Sequence, residues 1–424
     1  MQFAGLILIS AACPVITAMA GSLETMLLAH AVSLLACGLL LQESRPNAPT
    51  QIEDVKQTRY RLLHGQMQSR RTVGALSFVC VALAFALLTG LAGSSSLESI
   101  EATLRASYRP ELADLIVGDG SILGVAAAVL LFVGCAAQFG LFPMHGILMN
   151  GFETAPSGIA GITAVLQRLQ VAIILWKVAA VAMSGFEAPV HLLCLVFGTA
   201  SCLSGAVLAC RSESLRSLAG NFWLTWGGVA LVAAATELMT KHPASPGIVW
   251  QFPTGMETAA FSMLISGVAV GMLLACERWL ALENRSVNFV EDVTGLGQQH
   301  GLVAFATSCS LLTLCAIPPL PGFWCVTFIA GNAFLPGVES TEGPSLVPDA
   351  SVLVALGLLF VSLAIVAAKS TRLLSLMFHH EPIRRFELRR RGMSVGVSMV
   401  VACVLLWAGM NAGTMLAWLH ELSL

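Results

Sequence analysis

Apolar runs of about 20 residues, the length an α-helix needs to cross a hydrocarbon core, follow one another along this chain and leave it few folds to choose from. They fall at approximately 2–20, 21–41, 73–94, 119–142, 158–183, 189–210, 217–237, 256–282, 300–318, 350–377 and 394–418. Only 11% of the residues are charged and 56% are hydrophobic, with a mean hydropathy of +0.81, whereas a soluble domain carries about a quarter charged residues. The reading is therefore an all-α polytopic membrane protein of about 11 transmembrane helices. A net charge of −2 gives no global field for nucleic acid. The first run, "QFAGLILISAACPVITAMA", lacks a basic leader and is followed by another span, so it reads as a first helix rather than a cleaved signal.

The 12 cysteines lie almost entirely in apolar runs, without a C-x-x-C pair or a Cys/His cluster at metal-ligand spacing. They read as small core residues, and no metal site is expected. No nucleophile triad, P-loop or dinucleotide fingerprint is present in the sequence either. No catalytic residue is assigned, and electron transfer by the chain itself is not expected.

Orientation follows from the basic residues, which collect in cytoplasmic loops. Segment 42–72 holds Arg45, Lys56, Arg59, Arg61, Arg70 and Arg71; segment 369–391 holds Lys369, Arg372, Arg384, Arg385, Arg389, Arg390 and Arg391. The piece "GFWCVTFIAGNAFL", after "PPLPG", is short for a span of its own. Counted as an independent span, it would put the two basic segments on opposite sides. Counted as the second half of a helix broken at Pro318, Pro319 and Pro321, it puts both inside. The broken helix gives 11 spans, the N-terminus cytoplasmic and the C-terminus external, with 17 of the 22 basic residues inside. Loop 338–349, with Glu339, Glu342 and Asp349 and no basic residue, then faces out. The chain divides into two first helices (1–41), a basic cytoplasmic loop (42–72), a helix bundle (73–380), and a basic loop with a C-terminal helix (381–424).

A second interruption lies in "AAQFGLFPMHGILMNGFETAPSGIAG", between Pro143 and Pro156. Helices broken inside a bilayer need protein or water to satisfy the freed backbone groups, so they mark cavities and pathways. One break in each half is the pattern an inverted repeat of transporter type leaves in a sequence.

Ionisable groups within spans are functional candidates by default. Glu24 and His30 sit six residues apart in "GSLETMLLAHAVSLLACG", about 240° apart around a helix, so they do not form one local pair. His30 reads as a helix-packing hydrogen bond, and Glu24 as either functional or interfacial. Gln138 and His145 belong to the entry of the first break; a glutamine can hold water but cannot carry a proton as lysine does. Arg168, flanked by Gln167 and Gln170, stays protonated and can organise water or anchor a neighbouring helix, but is a poor proton relay. Lys177, about 13 Å further along the same helix, reads as snorkelling to the interface, as do Arg216 and Arg278.

These motifs resemble those of the antiporter-like proton-channel subunits, the family shared by respiratory complex I and the Mrp-type sodium/proton antiporters. The first break resembles the family's K-x-x-x-x-P-F-H-x-W-x-P-D-x-Y-x-G-A-P block. "VEDVTGLGQQHGLVAFATSCSLLTLCAIPPLPGFW" resembles its G-L-G-x-x-x-P-L stretch leading to G-I-P-P-L-x-G-F, and "SLRSLAGNF" stands where the family has L-K-R-L-L-A-Y-S-S. "LETMLLAHAVSLL", followed by "RYRLLHGQMQSRRTVGALSFVCVALAFALLTGLAGSSSL", is similar to stretches of the subunit N branch. The resemblance runs over roughly residues 2–380 in the family's order and begins at the family's fourth helix, which implies that the three leading helices of the long form are missing.

The resemblance implies an antiporter-like bundle in a membrane-arm subunit of a proton-translocating NADH:quinone oxidoreductase. Such a subunit lies in the inner (cytoplasmic) membrane among the other complex I membrane subunits. It would hold no cofactor itself; NADH, FMN, iron–sulfur clusters and quinone would belong to partner subunits. Glu24, Gln138, His145, Arg168 and Lys177 are the proton-path candidates. Glu24 matches the family's membrane glutamate, Gln138 falls on the lysine before P-F-H, Arg168 on the next helix's central lysine, and Val326 on the titratable position after the second break. The relay is thus partly lost, and a subunit retained for assembly competes with a rearranged proton path. The alternative class is an Mrp-like cation/proton antiporter or the membrane subunit of a hydrogenase or bicarbonate-uptake complex.

Overall fold

A computed structural model describes residues 2–43, 53–107, 120–146, 157–179, 187–239, 254–282, 285–286, 289–334, 350–381, 386–388 and 391–423. Pro156, Arg45, Lys241 and loop 338–349 lie outside the described residues. The helices are α1 (Gln2–Met19), α2 (Leu23–Glu43), α3 (Glu53–Ala92), α4 (Leu97–Ser107), α5 (Gly120–Phe139), α6 (Ser157–Lys177), α7 (Glu187–Arg211), α8 (Leu215–Met239) and α9 (Gly255–Trp279). They continue with α10 (Leu296–Gln299), α11 (Gly301–Leu314), α12 (Pro321–Phe334), α13 (Ala350–His379), α14 (Arg391–Met410) and α15 (Ala412–Ser423). Among the described residues, the regular structure besides helix is three very short strands, β1 (Leu280–Leu282), β2 (Arg285–Ser286) and β3 (Phe386–Leu388), in antiparallel order β2-β1-β3.

Seven described helices are long and apolar enough to cross a membrane, and Ala4–Met19, Leu123–Phe139 and Gly301–Leu314 form shorter apolar helices. With α6, which carries Arg168 and Lys177, and with α11 and α12 taken as one interrupted span, they occupy the eleven expected positions. Three boundaries differ from the sequence reading. Helix α3 begins at Glu53, inside the segment read as a loop; hydropathy marks where lipid begins, not where helix does, and the "EDVKQTRYRLLHGQMQSRR" stretch is rich in good helix formers. Helix α13 likewise runs through Lys369 and Arg372 to His379. The C-terminal span is divided into α14 and α15 at Asn411.

The chain folds as two compact units, Met1–Leu193 and Cys194–Leu424. In the first, α1 packs on α2 and α6, α2 on α3 and α6, and α5 on α3 and α6. In the second, α8 and α9 pack side by side with α11, α12 and α14 around them. Helix α8 is buried on every side over Leu218–Thr236, with Phe222, Trp223 and Trp226 inaccessible, as expected of the central helix of a bundle. Small residues allow α7 to approach it: a Cβ at Gly205 would lie 2.6 Å from Thr225 Oγ1 and 2.7 Å from its amide nitrogen. The outward faces carry Leu8, Val15 and Ile16 on α1, Val354 and Phe360 on α13, and Met399, Val400 and Trp407 on α14, all exposed. In a multi-pass membrane protein these are lipid-facing positions.

The second unit repeats the hydrogen-bonding plan of the first. Lys177 of α6 donates to the carbonyls of Ala18 and Ala20 at the end of α1; Lys369 of α13 donates to those of Cys210 and Ser212 at the end of α7. Both lysines reach across 159 and 157 residues. A shift of 192 residues therefore carries one set onto the other. The same shift moves Ser22, bridged to Ser96, onto Ser214, bridged to Phe289. The repeated part of each unit has five crossings, α1, α2, α3, α5 and α6 against α7, α8, α9, α11–α12 and α13, with α14 following the second copy, and an odd number per copy is what an inverted repeat requires.

Both breaks end the preceding helix in the same way. After α5, Gly140 adopts φ 72° and the Leu141 amide donates to Ala136 O at 3.1 Å; after α11, Ala316 adopts φ 56° and the Ile317 amide donates to Leu312 O at 3.1 Å. Left-handed backbone at a helix C-terminus suits glycine, while alanine there carries strain of about 1–2 kcal/mol. Gly322 starts α12 so close to the end of α11 that a Cβ would run into the carbonyl of Thr313. Two substitutions at this one break should consequently act in opposite directions. Gly322→Ala should destabilise the chain by about 1–3 kcal/mol, and Ala316→Gly should stabilise it by up to about 1 kcal/mol after the added flexibility of glycine. Unfolding by sodium dodecyl sulfate in mixed micelles measures both, and equal effects of the two would contradict the geometry.

Candidate functional site

The first unit buries polar side chains on α1, α2, α3 and α6, among them Thr17, His30, Ser77 and Arg168. Arg168, with 1% of its surface exposed, is among the largest fully buried side chains. Its Nη2 donates to Phe139 O at 3.0 Å, and its Cζ lies 5.0 Å from the centre of the Phe139 ring. Phe139 is the last residue of α5, so the guanidinium meets the negative end of a helix whose final carbonyls have no partner within the helix. The ring face adds a cation–π contact. Arg168 thus anchors the helix before the break, the second of the two roles expected for it.

Lys177 is held in place as well. It does not run out to the interface: its Nζ lies 2.5 Å from Ala18 O and 2.7 Å from Ala20 O, where it caps α1. Two turns back along α6, the Gln170 amide donates to Thr17 Oγ1, so the same helix grips α1 twice. Arg216 is a further correction. It forms a bidentate contact with one carboxylate oxygen of the buried Glu277, Nε at 2.9 Å and Nη2 at 2.8 Å, and so ties α8 to α9 rather than snorkelling. Arg278 is exposed, as expected.

The remaining candidates scatter. Gln138, one residue before Phe139, lies with its amide nitrogen against Gly74 of α3, 3.5 Å from where a Cβ would stand. His145 stacks on Phe142 beyond the break, ring centres 5.6 Å apart at 19°. Pro143 follows the positive-φ Gly140, and the Phe142–Pro143 and Pro318–Pro319 peptide bonds are cis. Glu24 stands exposed in the first turn of α2, and among the described residues no ion pair joins it to Arg168 or Lys177. The structure therefore brings Gln138 and Arg168 to the end of α5 and leaves Glu24 on the outside.

The second break is closed by neutral groups. The indole of the inaccessible Trp226 donates to Leu314 O, the last residue of α11, at 3.0 Å. Pro318, Pro319 and Pro321 lie in or just after the turn, Trp324 of α12 donates to Gly409 O of α14 at 2.7 Å, and Val326 is buried. Sequence reasoning missed Lys369, Trp226 and Glu277. The repeat would have pointed to Lys369 once its shift was known; the acidic residue in "LLACERW" was a visible signal for Glu277.

A helical fold of two units with this hydrogen-bonding repeat can be compared with known proteins. Residues 69–338 match the profile of the family described as NADH:quinone oxidoreductase/Mrp antiporter, transmembrane. The chain belongs to that family. Among its relatives, the NADH-quinone oxidoreductase subunit N of Caulobacter sp. (strain K31) is 24% identical over 332 residues, covering 78% of this chain and 62% of that protein. The subunit N of Methylobacterium nodulans is 24% identical over 268 residues, covering 63% and 50%. The chain thus spans between about half and three-fifths of the length of these family members. A chain of respiratory complex I from Thermus thermophilus superposes with a TM-score of 0.69 at 18% identity, covering 98% of this chain and 79% of that one. A chain of the Mrp complex from Dietzia sp. DQ12-45-1b gives 0.72 at 16%, covering 97% and 75%. At such identities the likeness is one of fold, and this family member is a multi-pass membrane protein with the antiporter-like fold.

The anchoring contacts differ in strength, which makes them separable. Arg168→Met should leave Phe139 O without its charged donor and lower stability by about 1.5–3 kcal/mol, with Arg168→Lys recovering part of it. Lys177→Met and Lys369→Met, each removing a part-exposed helix cap, should lower it by about 0.3–1 kcal/mol and by similar amounts. Thermal unfolding of the four variants in one detergent orders them; a harmless Arg168→Met would overturn the anchoring role.

Proposed function

We propose that the chain is a membrane-arm subunit of a proton-translocating NADH:quinone oxidoreductase, in the position of subunit N, in which the proton relay of the first unit has been partly replaced by structural contacts. One observation carries this reading. Arg168, which falls on the position of the family's central lysine, is bonded to the last carbonyl of α5. A guanidinium does not release its proton at physiological pH, and one fixed to a helix end acts as a counter-charge. Gln138 beside it cannot titrate. The subunit holds the arm together and carries fewer protons than its lysine-bearing relatives would.

In this reading NADH, FMN, iron–sulfur clusters and quinone belong to partner subunits, and the chain lies in the inner membrane with its N-terminus cytoplasmic and its C-terminus external. The fold likeness to a chain of an Mrp complex favours a second reading, a subunit of a cation/proton antiporter. A tag at the C-terminus, gentle extraction of native membranes and mass spectrometry of what co-purifies separates the two. Recovery with quinone-site and proton-channel subunits is expected; recovery alone, or with antiporter subunits only, would sink the complex I assignment. Within the intact enzyme, Arg168→Gln should leave the number of protons moved per electron pair unchanged, and a fall in that number would make Arg168 part of the path. Alkaline phosphatase fused to the C-terminus should be active, and fused after residue 43 inactive, if the orientation is correct.

A further inference from the structure

His30 has no place in the contacts described so far, and its surroundings are specific. It is 1% exposed, on the inner face of α2, whose outer face carries the exposed Leu28, Val32, Leu35 and Leu39. Its Nε2 lies 3.5 Å from Ser77 Oγ of α3, and Ser77 Oγ lies 2.7 Å from Gly134 O of α5. A carbonyl oxygen only accepts, so the single hydroxyl proton of Ser77 is committed to Gly134 O. Ser77 can then only accept from His30, which requires the proton of the neutral imidazole on Nε2 and leaves the lone pair on Nδ1. That Nδ1 is buried without a hydrogen-bond partner among the described residues, and so is the hydroxyl of Ser33. Residues three apart share a helix face, so an unpartnered acceptor and an unpartnered hydroxyl point from the same side of α2 into the unit. Unpaired buried polar groups of this kind are costly, and a bridging water is the usual remedy where several polar groups converge.

We propose that His30 is an internal proton-accepting site of the first unit, hydrated through Ser33 and fixed in its Nε2–H form by Ser77. In the step, a hydronium ion gives its proton to Nδ1 and leaves as water; the neutral imidazole becomes imidazolium while the other ring proton stays on Nε2, donated to Ser77 Oγ. Reversal returns the proton to water. Among the described side chains, the other titratable or charged groups on the elements packed against α2 and on α5 are Cys13 on α1, Cys80 on α3, Cys135 on α5, and Arg168 and Lys177 on α6. Both cations are bonded to backbone carbonyls. Gly134 makes the arrangement possible: a Cβ there would lie 2.9 Å from a methyl of Val81 and 3.0 Å from Ser77 O, so α5 could not come close enough for its carbonyl to reach Ser77. His30 falls on none of the signature positions described above. Its role in proton movement rests on the proposed function; its titration does not, and the test below needs no partner subunit.

The full-length chain, labelled with ¹⁵N in its histidines and embedded in phosphatidylethanolamine/phosphatidylglycerol nanodiscs, is compared with His30→Gln by solid-state NMR. The resonances lost in His30→Gln should be one protonated Nε2 and one unprotonated Nδ1 at mildly alkaline pH. Magnetisation from water should reach that Nδ1, less so in Ser33→Ala, and on acidification within the folded range the Nδ1 signal should move reversibly to the imidazolium position. Ser77→Ala, which keeps the histidine, should split the signal between both tautomers. A proton on Nδ1 at alkaline pH, no transfer from water, an Nδ1 that never protonates in the folded chain, or an unchanged tautomer in Ser77→Ala would each overturn the proposal. Co-purification of the tagged chain alone would remove the complex I reading and leave this site standing.

Discussion

Everything in this chain is subject to one constraint: a carbonyl that loses its helical partner inside hydrocarbon must find a donor in the protein. Helices α5 and α11 both stop within a span, and each leaves its last carbonyls to be satisfied by another helix. Phe139 O receives the guanidinium of Arg168, and Leu314 O receives the indole of Trp226. The backbone solution is shared, a left-handed residue and a wide turn bond at Leu141 and Ile317. The chemistry of the donor is not. One break carries a fixed positive charge and the other a neutral dipole, so the two units present different electrostatics at corresponding points.

The ends of α1 and α7 follow the same logic with the same residue. A lysine from the fifth crossing of each unit reaches back to two carbonyls at the end of the first. An ammonium has three donors and a flexible stem, so it can serve two carbonyls from a part-exposed position, and it suits the negative end of the helix. These lysines join the first and last crossings of each unit directly, which leaves the intervening helices, and α8 above all, free to be apolar and closely packed.

Much of this was legible in the sequence. Run length gave the eleven spans, the Pro318–Pro321 cluster gave the second break, and the distribution of arginine and lysine argued that α11 and α12 form one crossing. The repeat was legible only as two breaks in two halves. Its strongest markers are backbone carbonyls, and a carbonyl at Ala18 or Cys210 leaves no trace in side-chain identity; lysine is all the two sets have in common. Lys177 and Arg216 were misread for a related reason. Near a span end both look like snorkelling cations, and their partners lie 157 and 61 residues away, at distances no local pattern encodes. Helix α3 was underestimated because its first part is polar, and polarity in a membrane protein reads as loop.

The cations of α6 also bear on which group could move a proton through the first unit. A permanent charge in hydrocarbon is tolerated where something opposite in sign holds it, and both Arg168 and Lys177 meet the negative ends of helices. The contact that makes such a charge tolerable also fixes it, since releasing the proton or the side chain would leave the helix end unpaired. A proton carrier in the same interior has the opposite requirement: it must be neutral at rest, so that burial is not prohibitive, and must keep an open lone pair. Glu24, exposed on α2, is outside that interior, and Gln138 has no titratable atom. In the interior of the unit the imidazole of His30 meets both conditions, with one nitrogen tied to Ser77 and the other unpartnered among the described residues. Holding the cations of α6 in fixed contacts thus need not empty a unit of proton chemistry, because a buried neutral imidazole with an open lone pair is a different kind of group.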